Sequence, residues 1–276
     1  MNSYYLVPSL FIGHGSPTNA MQKSRYSSDL TKLGEALKNI QNIVVVSAHF
    51  ETSNVIQITN SPLPKVIYDF YGFPDELYKL RYNCPGNPKL AIEIYSLLIN
   101  NGFSTQLNPN RGLDHGAWIP LRFLFPEAVF PVIQISLPIP RKPMELTTIG
   151  KTLRNLRSKG VLLIGSGNLI HNLTHVMHQI QLGIIQPQDL AKEVQSEEWV
   201  RKADNWIKER LNKRDIDSLI NASQKMPDFS KAAPTTEHFD PLYVILGSMF
   251  TGEDINYFHE SIQAGSISMR SLSIES

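Results

Sequence analysis

Continuous apolar runs alternate with helix-period segments along the first 165 residues of the chain. Residues 43–46 form an unbroken β-branched run, and residues 6–12, 131–137 and 161–164 are similarly apolar. Runs of this kind mark strands buried on both faces of a parallel sheet, because a half-exposed strand would alternate apolar and polar positions. Between the first two runs, Leu30, Leu33, Ala36, Leu37 and Ile40 recur at helical spacing. Helices are likewise expected over 89–101, 119–125 and 144–159. The alternation predicts an α/β fold: a single domain over residues 1–276, with a central mostly parallel or mixed sheet flanked by helices. Right-handed crossovers would bring the strand C-terminal ends to one common edge, the natural place for a site. Further on, residues 189–211 read as a charged amphipathic helix with Val194, Trp199 and Trp206 on its core face. Residues 212–235 read as a long polar loop, and 265–274 as a closing strand.

Charge and composition remove several classes of function. Lys plus Arg number 26 against 25 Asp plus Glu, so the chain carries no electrostatic footprint for nucleic acid or an anionic membrane. Cys84 is the one cysteine, which excludes an internal disulfide and a thiolate metal cluster. The N-terminal residues lack the pattern of a secretory leader, and no run approaches the length of a membrane span. A cytoplasmic protein is expected, as a monomer or small homo-oligomer.

Histidines carry the candidate chemistry. His14 follows the first apolar run, His49 the second, and His171 the fourth, while His238 precedes the apolar residues 242–246. His115 lies between Asp114 and Gly116 at another element boundary. Neutral imidazole is a common ligand for Zn²⁺ and Fe²⁺. Single ligands scattered over strand ends suit a catalytic centre, whereas a zinc finger clusters its ligands at short spacings. With a helix opening near Leu169, His171, His175 and His178 would share one helical face. His171-Asn-Leu-Thr-His175 has Asn172 where a metalloprotease helix has its glutamate, so the general base is missing. Gly165-Ser166-Gly167 is not a nucleophile elbow, because the outer glycines would fall at Ile164 and Asn168. Gly13-His14-Gly15 does not complete a dinucleotide fingerprint, with Thr18 in the last glycine's place. The aromatic stretch with Tyr68, Phe70, Tyr71 and Phe73 is either ordinary core or an apolar slot for a flat ligand. Cys84 has no neighbouring cation beyond Arg81, so a reactive thiol is not expected.

The segments FIGHGSP (11–17), SAHFE (47–51), YDFYGFP (68–74), YNCPGNPKLA (82–91), GLDHGAWIPL (112–121), IGSGNLIHNL (164–173) and EHFDPL (237–242) occur in this order. Together they resemble the LigB-type extradiol ring-cleavage dioxygenases, in the branch that acts on DOPA. The resemblance implies a single α/β domain and a non-haem metal held by His14, His49 and His238. Fe(II) is the metal implied for activity, and Zn(II) would occupy the same site. Relatives complete such a triad with a glutamate. Here Glu237 and His238 are adjacent, and in extended backbone only one can face the metal, so His238 is assigned and Glu237 is expected to point away. His171 matches the family's acid/base, with a tuned near-neutral pKa, or a fourth metal ligand. His115 would bond the substrate or oxygen, and Tyr68, Phe70 and Tyr71 would contact the ring. The implied partners are a small aromatic diol and O₂, with cleavage to a semialdehyde. A metal-binding member without turnover and a zinc hydrolase are the alternatives.

Overall fold

Strand β2 (Asn42–Ser53) shows why the sheet is buried on both sides, as does β6 (Val161–Gly167). Ile43 and Val45 point into one hydrophobic core and Val44 and Val46 into the other, following the two-residue period of a strand. Strand β6 divides its residues in the same way, Leu162 and Ile164 against Val161 and Leu163. Full burial of each such side chain contributes about 1.5–3 kcal/mol, so these central strands anchor everything hung on their ends.

The structure, a computed structural model, describes residues 6–140 and 142–276. The first residues of the N-terminal segment weighed above as a leader therefore lie outside the described residues. The strands are β1 (Ser9–Gly13), β2 (Asn42–Ser53), β3 (Ile56–Thr59), β4 (Thr105–Asn108), β5 (Val132–Ile139), β6 (Val161–Gly167), β7 (Asp254–His259), β8 (Ile262–Gln263), β9 (Ile267–Ser268) and β10 (Ser271–Glu275). The helices are α1 (Arg25–Ala36), α2 (Pro88–Asn100), α3 (His115–Leu124), α4 (Pro143–Leu153), α5 (Leu173–Gln181), α6 (Glu198–Asn212), α7 (Ile216–Ile220), α8 (Ala222–Lys225), α9 (Phe229–Ala232) and α10 (Pro241–Gly247). Eight strands form one mixed sheet in the order β4-β3-β5-β2-β6-β1-β10-β7. Its centre, β5-β2-β6-β1, is parallel, and antiparallel pairs join β3 to β5, β10 to β1 and β7 to β10. This is the expected single-domain α/β fold, with helices on both faces. Among the described residues, no helix is long and apolar enough to cross a membrane.

Several boundaries differ from the sequence reading, each for a local reason. Helix α5 begins only at Leu173, because Asn172 caps it by accepting the His175 N–H at 2.8 Å. His171 therefore precedes the helix, bridged to Ile267 and bonded through its N–H to the Ala232 carbonyl. The three histidines expected on one helical face are thus split. Helix α6 begins at Glu198, leaving Val194 outside it, and its buried stripe is Trp199, Ala203, Ile207 and Leu211 at four-residue spacing. Trp206 is only half-buried. Residues 212–235 are not a loop: they hold α7, α8 and α9, with Asp215 capping the first through the Ser218 N–H. The closing strand is broken into β9 and β10 around Arg270, whose buried guanidinium pairs with Asp204 and Glu260.

Candidate metal centre

The proposed site histidines gather at one edge of the sheet, with His49 within β2, His171 shortly beyond β6 and His238 on a turn held against the end of β6. His14 directly follows β1, and its N–H donates to the Gly167 carbonyl at the end of β6. Gly167 must be glycine, since a Cβ there would lie 2.0 Å from the His238 carbonyl oxygen. The same close approach lets Asn168 N–H bond that carbonyl at 2.8 Å, which fixes the turn bearing His238.

His49 is delivered by a bulge. Val46 pairs with Ile135 and Glu51 with Leu137, so residues 47–50 lie opposite Ser136 alone. The bulge is clamped by Asp114, which is fully buried. Its carboxylate accepts from Ser47 Oγ at 2.7 Å, Gln134 Nε2 at 2.7 Å and Arg111 Nη2 at 3.2 Å. It also caps α3 through the Ala117 N–H at 3.2 Å, which places His115 as the first residue of that helix. Arg111 donates onward to the His49 carbonyl at 2.8 Å and stacks 4.0 Å over Phe50.

One nitrogen from each of His14, His49 and His238 lies within a 4.8 Å cluster. The outward nitrogens are anchored. Ser166 Oγ donates to the Gly116 carbonyl, so it accepts from His14 Nδ1 at 2.9 Å. Glu237 Oε1 accepts from His238 Nδ1 at 3.1 Å. His14 and His238 are thereby left with Nε2 lone pairs facing inward, and His14 Nε2 stands 3.1 Å from His49 Nε2. Two nitrogens bound to one tetrahedral ion at about 2.0–2.1 Å would be separated by about 3.4 Å, close to this spacing. Burial pushes His14 and His238 well below the ordinary imidazole range, and His49 to about 3, so all three are neutral at pH 7. Buried Nε2 lone pairs of His14 and His238, held inward with their protons on Nδ1, fit a cation.

Other groups surround this cluster. His171 stacks on His238 with ring centroids 3.5 Å apart. Burial pushes its pKa to about 4, lower than the near-neutral tuning expected from sequence. Asp69 receives both the backbone N–H of His115 at 2.9 Å and its Nδ1 at 3.0 Å. Burial pushes the Asp69 carboxyl up, but the hydrogen bonds and charges of His115 and the charge of His49 outweigh this and leave it at about 2. As a carboxylate it only accepts, so His115 Nδ1 carries a proton. Asp69 lies within the aromatic stretch at 68–74, where only the rings stand out in sequence. A lone carboxylate in an aromatic loop was the available signal.

A cavity of about 680 Å³ opens over the cluster, lined by His14, His49, His115, His171 and His238 with Phe70, Tyr71 and Phe73. Glu237 also lines it, contrary to its expected outward direction, because residues 237–240 form a turn and not extended backbone. Tyr71 sits at the wall with 92% of its surface exposed. Tyr68 is not in this wall: its hydroxyl donates to the Leu80 carbonyl and its ring packs on Trp118, beside a different cavity. His175 and His178 line a separate cavity as well. Burial raises the Cys84 thiol to about 12, consistent with an inert residue.

The family described as "Catalytic LigB subunit of aromatic ring-opening dioxygenase" matches residues 8–268. The chain belongs to this family. It is an enzyme of the ring-opening dioxygenase class. It is 34% identical to the 4,5-DOPA dioxygenase extradiol of Beta vulgaris over 266 residues, which cover 94% of this chain and 92% of that protein. It is 34% identical to the protein of the same name from Escherichia coli K12 over 272 residues, covering 97% and 94%. The crystal structure of the uncharacterized Escherichia coli K12 protein JW3007 superposes with a TM-score of 0.79 at 28% identity, covering 97% of this chain and 99% of that one.

Proposed function

We propose that the chain is an extradiol dioxygenase that opens a catechol, DOPA or a relative of it, beside its two hydroxyls to give a semialdehyde. The observation that carries this reading is the trio of neutral imidazoles, two of them anchored at Nδ1, at the floor of a cavity with an aromatic flank. His14, His49 and His238 would hold Fe(II), with Zn(II) able to occupy the same nitrogens. When bound there, ferrous iron supplies the electron transfer to dioxygen that organic side chains lack. His171, neutral at pH 7, accepts the proton of a catechol hydroxyl and later returns it to the departing oxygen. His115, oriented by Asp69, would offer its other ring nitrogen to hydrogen-bond the substrate or the oxygen. Phe70 and Phe73, whose rings meet edge to face 5.4 Å apart, form an apolar flank for the ring. The chain is proposed to act in the cytoplasm, without nucleic-acid or membrane partners.

The reading is tested by anaerobic reconstitution with Fe²⁺, followed by O₂ and a catechol panel. Oxygen uptake with a yellow product is expected, falling about 10²- to 10⁴-fold in His171→Ala with metal content retained. Full iron loading without oxygen uptake on any catechol would overturn it.

A further inference from the structure

Building on the ring-cleaving reading, which supplies the ligand, we propose that Tyr71 and Met177 are the two lips of a clasp that closes over an aromatic ring bound on the histidine floor. That floor is a row of imidazoles. Ring centroids step from His115 to His49 at 4.0 Å, from His49 to His238 at 4.9 Å and from His238 to His171 at 3.5 Å. The aromatic loop stands at the His115 end, where Asp69 bonds His115 twice and Phe70 meets its ring edge-on at 5.7 Å. Helix α5 stands at the other end, starting two residues beyond His171. Both reach the wall of the same cavity, the loop through Tyr71 and the helix through Leu173, Val176 and Met177. A ring laid on the floor therefore has one lip at each end.

Each lip is a free tip on an anchored base. Phe70 packs on Phe73 and Tyr78, and its carbonyl accepts from the Tyr78 hydroxyl at 3.4 Å. Leu77 is fully buried, and its N–H donates to the Pro74 carbonyl at 3.0 Å. Between these anchors stands Tyr71-Gly72. Among the described residues, no hydrogen bond or ring contact holds the Tyr71 side chain, and 92% of the residue is exposed. Gly72 has a φ of +76°, and a Cβ there would meet nothing within 4 Å. Glycine is thus used here for backbone freedom and not for a close approach. Met177 is 54% exposed, on a helix with one buried residue. A tyrosine ring left in water forgoes the burial that dominates aromatic energetics, and an unbranched methionine fits whatever surface meets it. A bound ring offers both a surface to bury against, and closing over it sheds water from the site.

The test uses Zn²⁺-loaded protein, which is redox-inert, with 4-nitrocatechol as the probe and metal content measured in every variant. The probe should slow hydrogen exchange of the backbone amides of residues 71–73 at least about threefold. Tyr71→Ala should weaken probe binding about tenfold, and Tyr71→Phe, which keeps the ring, should restore most of the loss. Met177→Ala should weaken binding about threefold. The double variant should lose about as much as Tyr71→Ala alone, because the two side chains share one contact. A probe that does not bind, unchanged affinity in Tyr71→Ala, losses that multiply in the double variant, or exchange at 71–73 unmoved by the probe would overturn the proposal. Oxygen uptake by iron-loaded protein is read separately: if no catechol is consumed while the probe still draws the lips together, ring cleavage fails and the clasp stands.

Discussion

The histidines gathered at the sheet's edge and those on α5 are the same side chain in opposite settings. His14 and His238 are buried, tied at Nδ1 to a fixed acceptor, and aimed at a shared centre. His175 and His178, a few residues from His171 in sequence, face another cavity and share no atom of that centre. The difference lies in what holds them. A strand end in the middle of a parallel sheet cannot shift without disturbing neighbours on both sides. A short helix with one buried residue, Val176, is held far more lightly. A rigid edge can therefore hold an imidazole nitrogen to within the tolerance a metal would need, and the helix need only cover it.

The strongest way to break this comparison is His14→Ala. Removing a ligand should weaken divalent-metal binding by more than about 100-fold, beyond the loss that follows from an outer partner. Metal content after dialysis is the readout, and oxygen uptake should vanish with it. If the variant keeps its metal and turns over, the strand-end cluster is not the centre.

A smaller effect sharpens the same point. Asp69→Asn keeps the shape of the loop but removes the charge that orients His115. Turnover should fall about 10- to 100-fold, with metal content retained. Loss of the metal instead would place Asp69 among the ligands, as its proximity to His49 and His115 permits.

The two settings were not equally legible in the sequence. The β-branched run at 43–46 announced a doubly buried strand, and the histidines just beyond such runs could be read as a shared edge. His14, His49, His115, His171 and His238 do line one cavity. What periodicity could not supply was long-range. β3 and β4 have four residues each, too few for a period-two signal, and gain their strand character from pairing, β3 with β5 and β4 with β3. The Asp114 clamp ties its own segment to Ser47 on β2 and Gln134 on β5, links that no local pattern reveals. The direction of Glu237 followed from assuming extended backbone where the chain makes a turn. His171 was placed on a helix because its spacing to His175 is helical, while the capping power of Asn172 decided otherwise.

The smallest effect belongs to the helix side. His175 Nε2 lies 3.2 Å from Glu197 Oε1, and that carboxylate is 46% exposed and also 4.0 Å from Lys231. The His175 ring stands edge-on to Trp199 at 5.6 Å. A partly exposed pair of this kind contributes about 0–1 kcal/mol, since solvent screens it and Lys231 offers Glu197 another partner. His175→Ala should therefore lower stability by no more than about 1 kcal/mol in denaturant unfolding and leave metal affinity and turnover within about twofold. A tenfold loss of metal affinity in this variant would erase the contrast between the two sets of histidines. It would mean that α5 takes part in positioning the centre, through Asn172 and His171, and does not merely cover it.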